Sequence, residues 1–315
     1  MPGDIPPNEY TDNTMSNDFN PQSFDDVRAG ADLDRPPFQV SSAFHLDANL
    51  DSTLPDVIIA SADNVLFAVH CHRLQEASAN NFAGFLSVTG VEPTSENPLT
   101  FVVTDPQDVL NVVLHTLYGL SCGAYNPSLD CLAASIQALK TYGLIPLQRY
   151  LSRNASPLYS TVLNQGLAHP IETFALAASH GLEDLAVAAS SYTLSAKLDH
   201  IPPHLAEQMG VHYLHRLYRL QSARMEGLKR LLDKSVYPHV ATPWCSPEQR
   251  QNVSRAVQLA ATQVYYTATP ATTRAGIESI MHGLANSIQC PDCKQVVETH
   301  VKEIADAWIL LDRTI

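Results

Sequence analysis

Basic residues are scarce in this chain: 19 Lys and Arg stand against 32 Asp and Glu, a formal net charge of −13. Phosphate groups are held by clustered Lys and Arg, so nucleic acid and anionic membrane surfaces are not expected as partners of the whole chain. Charge of either sign is sparse, at 16%, against a usual share of about a quarter. The surface therefore relies on neutral polar groups. No apolar run reaches the roughly 18–20 residues of a membrane span. The opening Met1-Pro-Gly-Asp-Ile-Pro-Pro lacks a basic region followed by an apolar one, so no secretory signal is expected. The expected location is intracellular, in cytoplasm or nucleus. The six cysteines then read as reduced thiols or metal ligands, not disulfides, and Asn154-Ala-Ser and Asn252-Val-Ser as chance sequons. Glycine is thin, at 13 residues. There is no Gly-x-Ser-x-Gly elbow, no Gly-rich phosphate loop and no His-Glu-x-x-His. No catalytic residue is assigned, and the chain is expected not to be an enzyme. His200, His204, His212 and His215 are divided by Pro202-Pro203, so joint metal ligation by them is not expected.

Apolar residues make up 45% of the 315, enough for a sizeable core in one or two domains. Residues 1–45 are rich in Pro, Asn, Asp and Ser and read as a disordered acidic tail, because so few apolar groups cannot offset the entropy of ordering them. From Asp56 the pattern changes. Asp56-Val-Ile-Ile-Ala60 and Val65–Val69 are β-branched and apolar around the turn dipeptide Asp63-Asn64, the signal of a hairpin. His70, Leu74 and Ser78 share one helical face by their four-residue spacing. Leu99–Val103 forms a third strand. Asp105-Pro106 opens a helix carrying Val109, Leu110, Val113, Leu114 and Leu117, and a further helix carries Leu132, Ile136, Leu139 and Tyr142. The order, strand pair, helix, strand, helices, defines an α+β domain at 54–150 with a short sheet covered by helices.

The run Asp56-Val-x(9)-Phe67-x-x-His70-x(3)-Leu74-x(3)-Ser78 resembles the BTB/POZ signature. The stretches His169–Leu185 and Gly210–Leu220 are similar to the second module of BTB proteins from mushroom-forming fungi. The resemblance implies a non-catalytic adaptor that homodimerises near Asp56 and its first helix. It also implies either recruitment of protein partners to a cullin-family ubiquitin ligase scaffold or transcriptional regulation through corepressors; a zinc-stabilised scaffold without a ligase link is the remaining alternative. Two positions depart from the family. Cys71 replaces the basic residue that often follows the signature His, which puts the charged peptide pocket in doubt. Phe82 lies one residue later than the usual aromatic. The residues themselves suggest plainer roles: a His at a strand–helix junction is normally a hydrogen-bonded core residue, and Asp56 is suited to local capping.

Residues 151–315 read as an all-helical module. The clearest helix, 211–232, has a stripe of Leu214, Leu217, Tyr218, Met225, Leu228 and Leu232. Arg216, Arg219, Arg224, Lys229 and Arg230 are assigned to its solvated face in preference to a nucleic-acid recognition surface. The sharpest chemical signal is Cys290-Pro-Asp-Cys293. A Cys-x-x-Cys turn offers half of a tetrahedral zinc site, and Cys245 and His239, in a Pro-rich stretch, are the best partners for the other half. His300 is a second candidate, placed less well by about two helical turns. Reduced thiols, one of them capping the last helix, and a redox pair are the alternatives; the redox reading lacks a preceding βαβ unit. A bound ion would pin the 236–247 loop to the last helix. Cys71, Cys122 and Cys131 read as small apolar fillers.

Overall fold

The computed structural model describes residues 38–87, 93–152, 156–236, 239–285 and 288–315. The fold is mixed α+β, with one four-stranded sheet followed by helices. The chain divides into two compact units, one of residues up to 72 with 89–107, the other of 73–88 with 108–315. The dividing positions fall inside the stretch expected as a single domain at 54–150.

The first unit is the sheet. Strands β1 (Gln39–Val40), β2 (Val57–Ala60), β3 (Val65–Val69) and β4 (Leu99–Val102) lie in the order β1-β3-β2-β4. β2 and β3 form the expected antiparallel hairpin, with Val57 opposite Val69 and Ala60 opposite Leu66. The turn works because Asn64 tolerates a positive φ of 64°, while Ser61 Oγ donates to Asp63 Oδ1 at 2.6 Å and accepts from Val65 N at 2.9 Å. β4 joins β2 in parallel and β1 joins β3 in parallel. All four residues of β2 are buried, as suits a central strand with neighbours on both edges.

Most of the expected acidic tail, residues 1–37, lies outside the described residues. Its last part, 38–45, does not fit that expectation. It supplies β1 and puts Phe44, fully buried, against Phe67 at a ring-centroid distance of 6.2 Å. Composition averaged over the whole stretch hid the three apolar residues Phe38, Val40 and Phe44.

The second unit holds the helices. α1 (Cys71–Ala77) is followed by α2 (Gln107–Leu117), α3 (Leu129–Thr141), α4 (Pro157–Gln165), α5 (Pro170–Ser179), α6 (Glu183–Ser190), α7 (Pro203–Leu232), α8 (Pro247–Thr267), α9 (Arg274–Ala285) and α10 (Pro291–Ile309). Six of these, α2, α4, α5, α7, α8 and α10, begin at or one residue after a proline, where the missing N–H costs nothing. α7 is broken at Gly210, whose φ of 70° and ψ of 162° are not helical; the periodic stretch beginning at 211 is its second segment. The C-terminal half of α7 packs with α8, α9 and α10 around Leu228, Leu232, Val257, Val264, Ile277, Met281, Val297, Val301, Ile304 and Trp308. Among the described residues no helix is long and apolar enough to cross a membrane.

The basic face assigned to α7 needs correction. Arg224 is 2% exposed, not solvated. Its Nε donates to the Pro270 carbonyl, and Nη1 to those of Leu311 and Asp312. Arg216 is held by both carboxylate oxygens of Glu183, at 2.9 and 2.7 Å. Periodicity alone cannot see that backbone carbonyls from distant segments engage Nε and Nη1 of a buried guanidinium, whose Nη2 has no hydrogen-bond partner among the described residues. Tyr218, expected in the apolar stripe, is 44% exposed, with its hydroxyl donating to the Leu198 carbonyl.

Candidate metal centre

Two helix N-termini converge at the site. Ser246 caps α8: its Oγ accepts from Gln249 N at 3.2 Å and Gln249 Oε1 accepts from Ser246 N at 2.9 Å, a closed capping box with Pro247 at the first helical position. Cys245 immediately precedes that cap and is bridged to Thr242, whose carbonyl accepts from Cys245 N at 3.2 Å. The 239–246 segment is thereby folded back on itself. At the other end, Cys290 is the N-cap residue of α10, with no side-chain capping bond, and Pro291 follows. Cys293, one turn inside, points into the same place because N-cap and third helical positions share a face.

His239, Cys245, Cys290 and Cys293 bring their ligand atoms within 4.8 Å of one another. Cys245 Sγ and Cys293 Sγ lie 3.6 Å apart, and Cys290 Sγ lies 3.4 Å from His239 Nε2. A tetrahedral ion with metal–sulfur bonds of about 2.3 Å separates its sulfurs by about 3.8 Å, so these spacings suit one ion at the centre. His239 Nδ1 lies 2.6 Å from the Val240 carbonyl. With an ion bound, Nδ1–H would donate to that carbonyl and the Nε2 lone pair would face the ion, the arrangement of a metal-ligating imidazole. Arg250 Nη1 donates to the His239 carbonyl at 3.2 Å and holds the residue from behind.

The electrostatics favour a cation. A hydrogen bond from the Cys293 backbone, assisted by Cys245 and His239, lowers Cys290 to about 7. Burial, reinforced by the other two sulfurs, pushes Cys293 up to about 12, and burial raises Cys245. The three sulfurs resist carrying three negative charges in a closed space. A divalent cation removes that conflict, because coordination deprotonates thiols outright.

The four ligands expected from the residues are thus brought together, and the 239–246 loop meets the start of the last helix. His300, the second candidate, stands outside the quartet. Among the described residues this is the one group of three or more His, Cys, Asp or Glu side chains that converges in this way; the histidines at 200, 204, 212 and 215 do not. Cys71 and Cys122 are buried, and Cys131 is half-buried.

The signature residues occupy structural positions. His70, 1% exposed, contacts the Thr53 carbonyl through Nε2 at 2.9 Å, and Asp56 Oδ1 accepts from Cys71 N at 2.7 Å, capping the start of α1. Phe67 and Leu74 are buried. Ser78 Oγ donates to the Tyr142 carbonyl at 2.6 Å and accepts from Phe82 N at 2.7 Å. Phe82 stacks on Tyr142 with centroids 4.2 Å apart. After α1 the chain makes a left-handed turn, with positive φ at Asn81, Phe82 and Ala83, which is how the late aromatic still reaches Tyr142. Residue patterns gave no sign of one surface feature: Trp244 is 74% exposed and Val240 86% exposed, both within the loop that carries His239 and Cys245. The chain matches no protein-family model, no curated protein and no solved structure.

Proposed function

We propose that the chain is a non-catalytic protein-interaction adaptor whose C-terminal helices are held by one structural zinc ion. The carrying observation is the Cys3His quartet with all four ligand atoms within 4.8 Å. Cysteine and histidine ligands in a tetrahedral set select zinc, and four protein ligands leave no open position for substrate, which distinguishes a structural from a catalytic centre. The exposed pair Trp244 and Val240 on the metal-bearing loop supports an interaction role, since exposed aromatic side chains are favoured at protein contacts. Engagement of Arg216 and Arg224 within the fold weakens any nucleic-acid role for α7.

The N-terminal part of the reading rests on the BTB/POZ resemblance. It has the antiparallel hairpin, the parallel third strand and helices in the implied order, and the residues Asp56, Phe67, His70, Leu74 and Ser78 act in packing and hydrogen bonding. The adaptor is then a homodimer that displays two copies of the helical module and gains avidity from them, with a cullin-type scaffold as the partner to be tested. Metal analysis of purified full-length protein, combined with its mass in solution, decides the proposal. One zinc per chain and a dimer are expected. A metal-free, monomeric protein with intact fold overturns it.

A further inference from the structure

We infer that Cys290 is a site of oxidative modification, and that its reaction with a hydroperoxide closes a disulfide within the quartet and ejects the metal ion. The inference rests on the zinc reading of the same residues. Its ground is an asymmetry among the three sulfurs. Cys245 and Cys293 are each 1% exposed, whereas Cys290 is half-buried. A cavity of about 270 Å³, walled by Gln249, Asn252 and Ala256 of α8 with Ile288 and Gln289, ends on Cys290 and Cys293. It is roomy for a molecule the size of hydrogen peroxide, since a water needs only about 30 Å³. An oxidant entering there meets Cys290 first, at the N-cap of α10, with the remaining sulfurs inside the 4.8 Å cluster.

The chemistry balances with hydrogen peroxide as the oxidant. The Cys290 thiolate attacks one peroxide oxygen; the S–O bond forms, the O–O bond breaks, and hydroxide leaves and takes up a proton from solvent as water. The sulfur has lost two electrons and is a sulfenic acid. The thiolate of Cys245 or Cys293 then attacks the Cys290 sulfur; the S–S bond forms, the S–O bond breaks, and hydroxide leaves and takes up a second proton from solvent as water. Two thiolates, one peroxide and two protons from solvent give one disulfide and two waters. Sulfurs already within 4.8 Å need only a short contraction to the disulfide length of about 2.04 Å. One imidazole and one thiolate remain, too few for a tetrahedral zinc site, so the ion leaves and the 239–246 loop loses its anchor.

The test uses the zinc-loaded full chain, titrated with hydrogen peroxide in the presence of a chromogenic zinc chelator, followed by disulfide mapping. One zinc per chain should be released in step with a disulfide joining Cys290 to Cys245 or Cys293, and a thiol reductant with added zinc should restore the starting state. Cys290→Ser removes a ligand and so compromises the metal itself. Asn252→Phe instead narrows the cavity from an exposed position, and should leave zinc content unchanged while slowing release about tenfold. Retention of zinc under excess peroxide, or a disulfide that excludes Cys290, overturns this inference and leaves the structural zinc proposal standing. Protein that never takes up zinc removes both.

Discussion

The guanidinium of Arg224 lies over the ring of Trp308, 4.3 Å from its centroid. Both residues are almost fully buried. The arginine ties three carbonyls from the α8–α9 connection and the C-terminal segment to α7, and Trp308 Nε1 donates to the Thr272 carbonyl at 2.7 Å. Arg224→Met should cost about 2–4 kcal/mol, because it removes charge-assisted bonds and leaves buried carbonyls unpaired. Arg224→Lys should recover little of this, since one ammonium cannot reproduce the fork. Urea unfolding of the two variants checks both statements; a wild-type midpoint for Arg224→Met contradicts them.

Metal removal should weaken the C-terminal helices. Chelation of the loaded protein, or Cys293→Ser, is expected to lower stability by at least about 3 kcal/mol, seen as a clear fall in melting temperature that returns with zinc in the chelated wild type only. An unchanged melt after complete metal removal rules out a structural ion.

Two glycines should respond differently to alanine. Gly143 has a φ of 76°, and an added Cβ meets the side chain of Asn80, whose Nδ2 donates to the Thr141 carbonyl. Gly119 has a φ of 68° with open space around the Cβ position. Gly119→Ala should cost only backbone strain, about 1 kcal/mol, and Gly143→Ala about 2–4 kcal/mol, since strain and a clash add. Equal thermal shifts in the pair contradict the difference.

Trp244→Ala is expected to leave metal content and melting temperature at wild-type values, because the ring is 74% exposed, and to weaken partner capture from host extract at least about tenfold. A drop in melting temperature instead assigns the ring to folding.

The convergence of His239, Cys245, Cys290 and Cys293 was legible because it depends on residue type: a Cys-x-x-Cys turn and a Cys and His in a Pro-rich stretch are the side chains suited to share one site. The hairpin at 57–69 was legible because β-branched runs flank a turn dipeptide whose second residue accepts positive φ. Arg224 was not, since its partners are main-chain carbonyls 46 to 88 positions away, which carry no residue signature. β1 was lost for a related reason: two residues paired to a strand 26 positions onward have too little periodicity to stand out from acidic surroundings. Helices α8 and α9 were covered only by the general assignment of 151–315 as helical. Their apolar faces are read from packing against α7 and α10, not from strong local pattern.

The position of the quartet also has a mechanical meaning. Cys245 and Cys293 are 48 positions apart, and α8 and α9 lie wholly between them. A chain stretched from its ends would pass the load through the ion and shield everything enclosed by it. About 170 Å of contour would stay hidden until a metal–sulfur bond gave way. A bound ion would therefore act as a tether, and its loss would change how far this protein extends before its last helices yield.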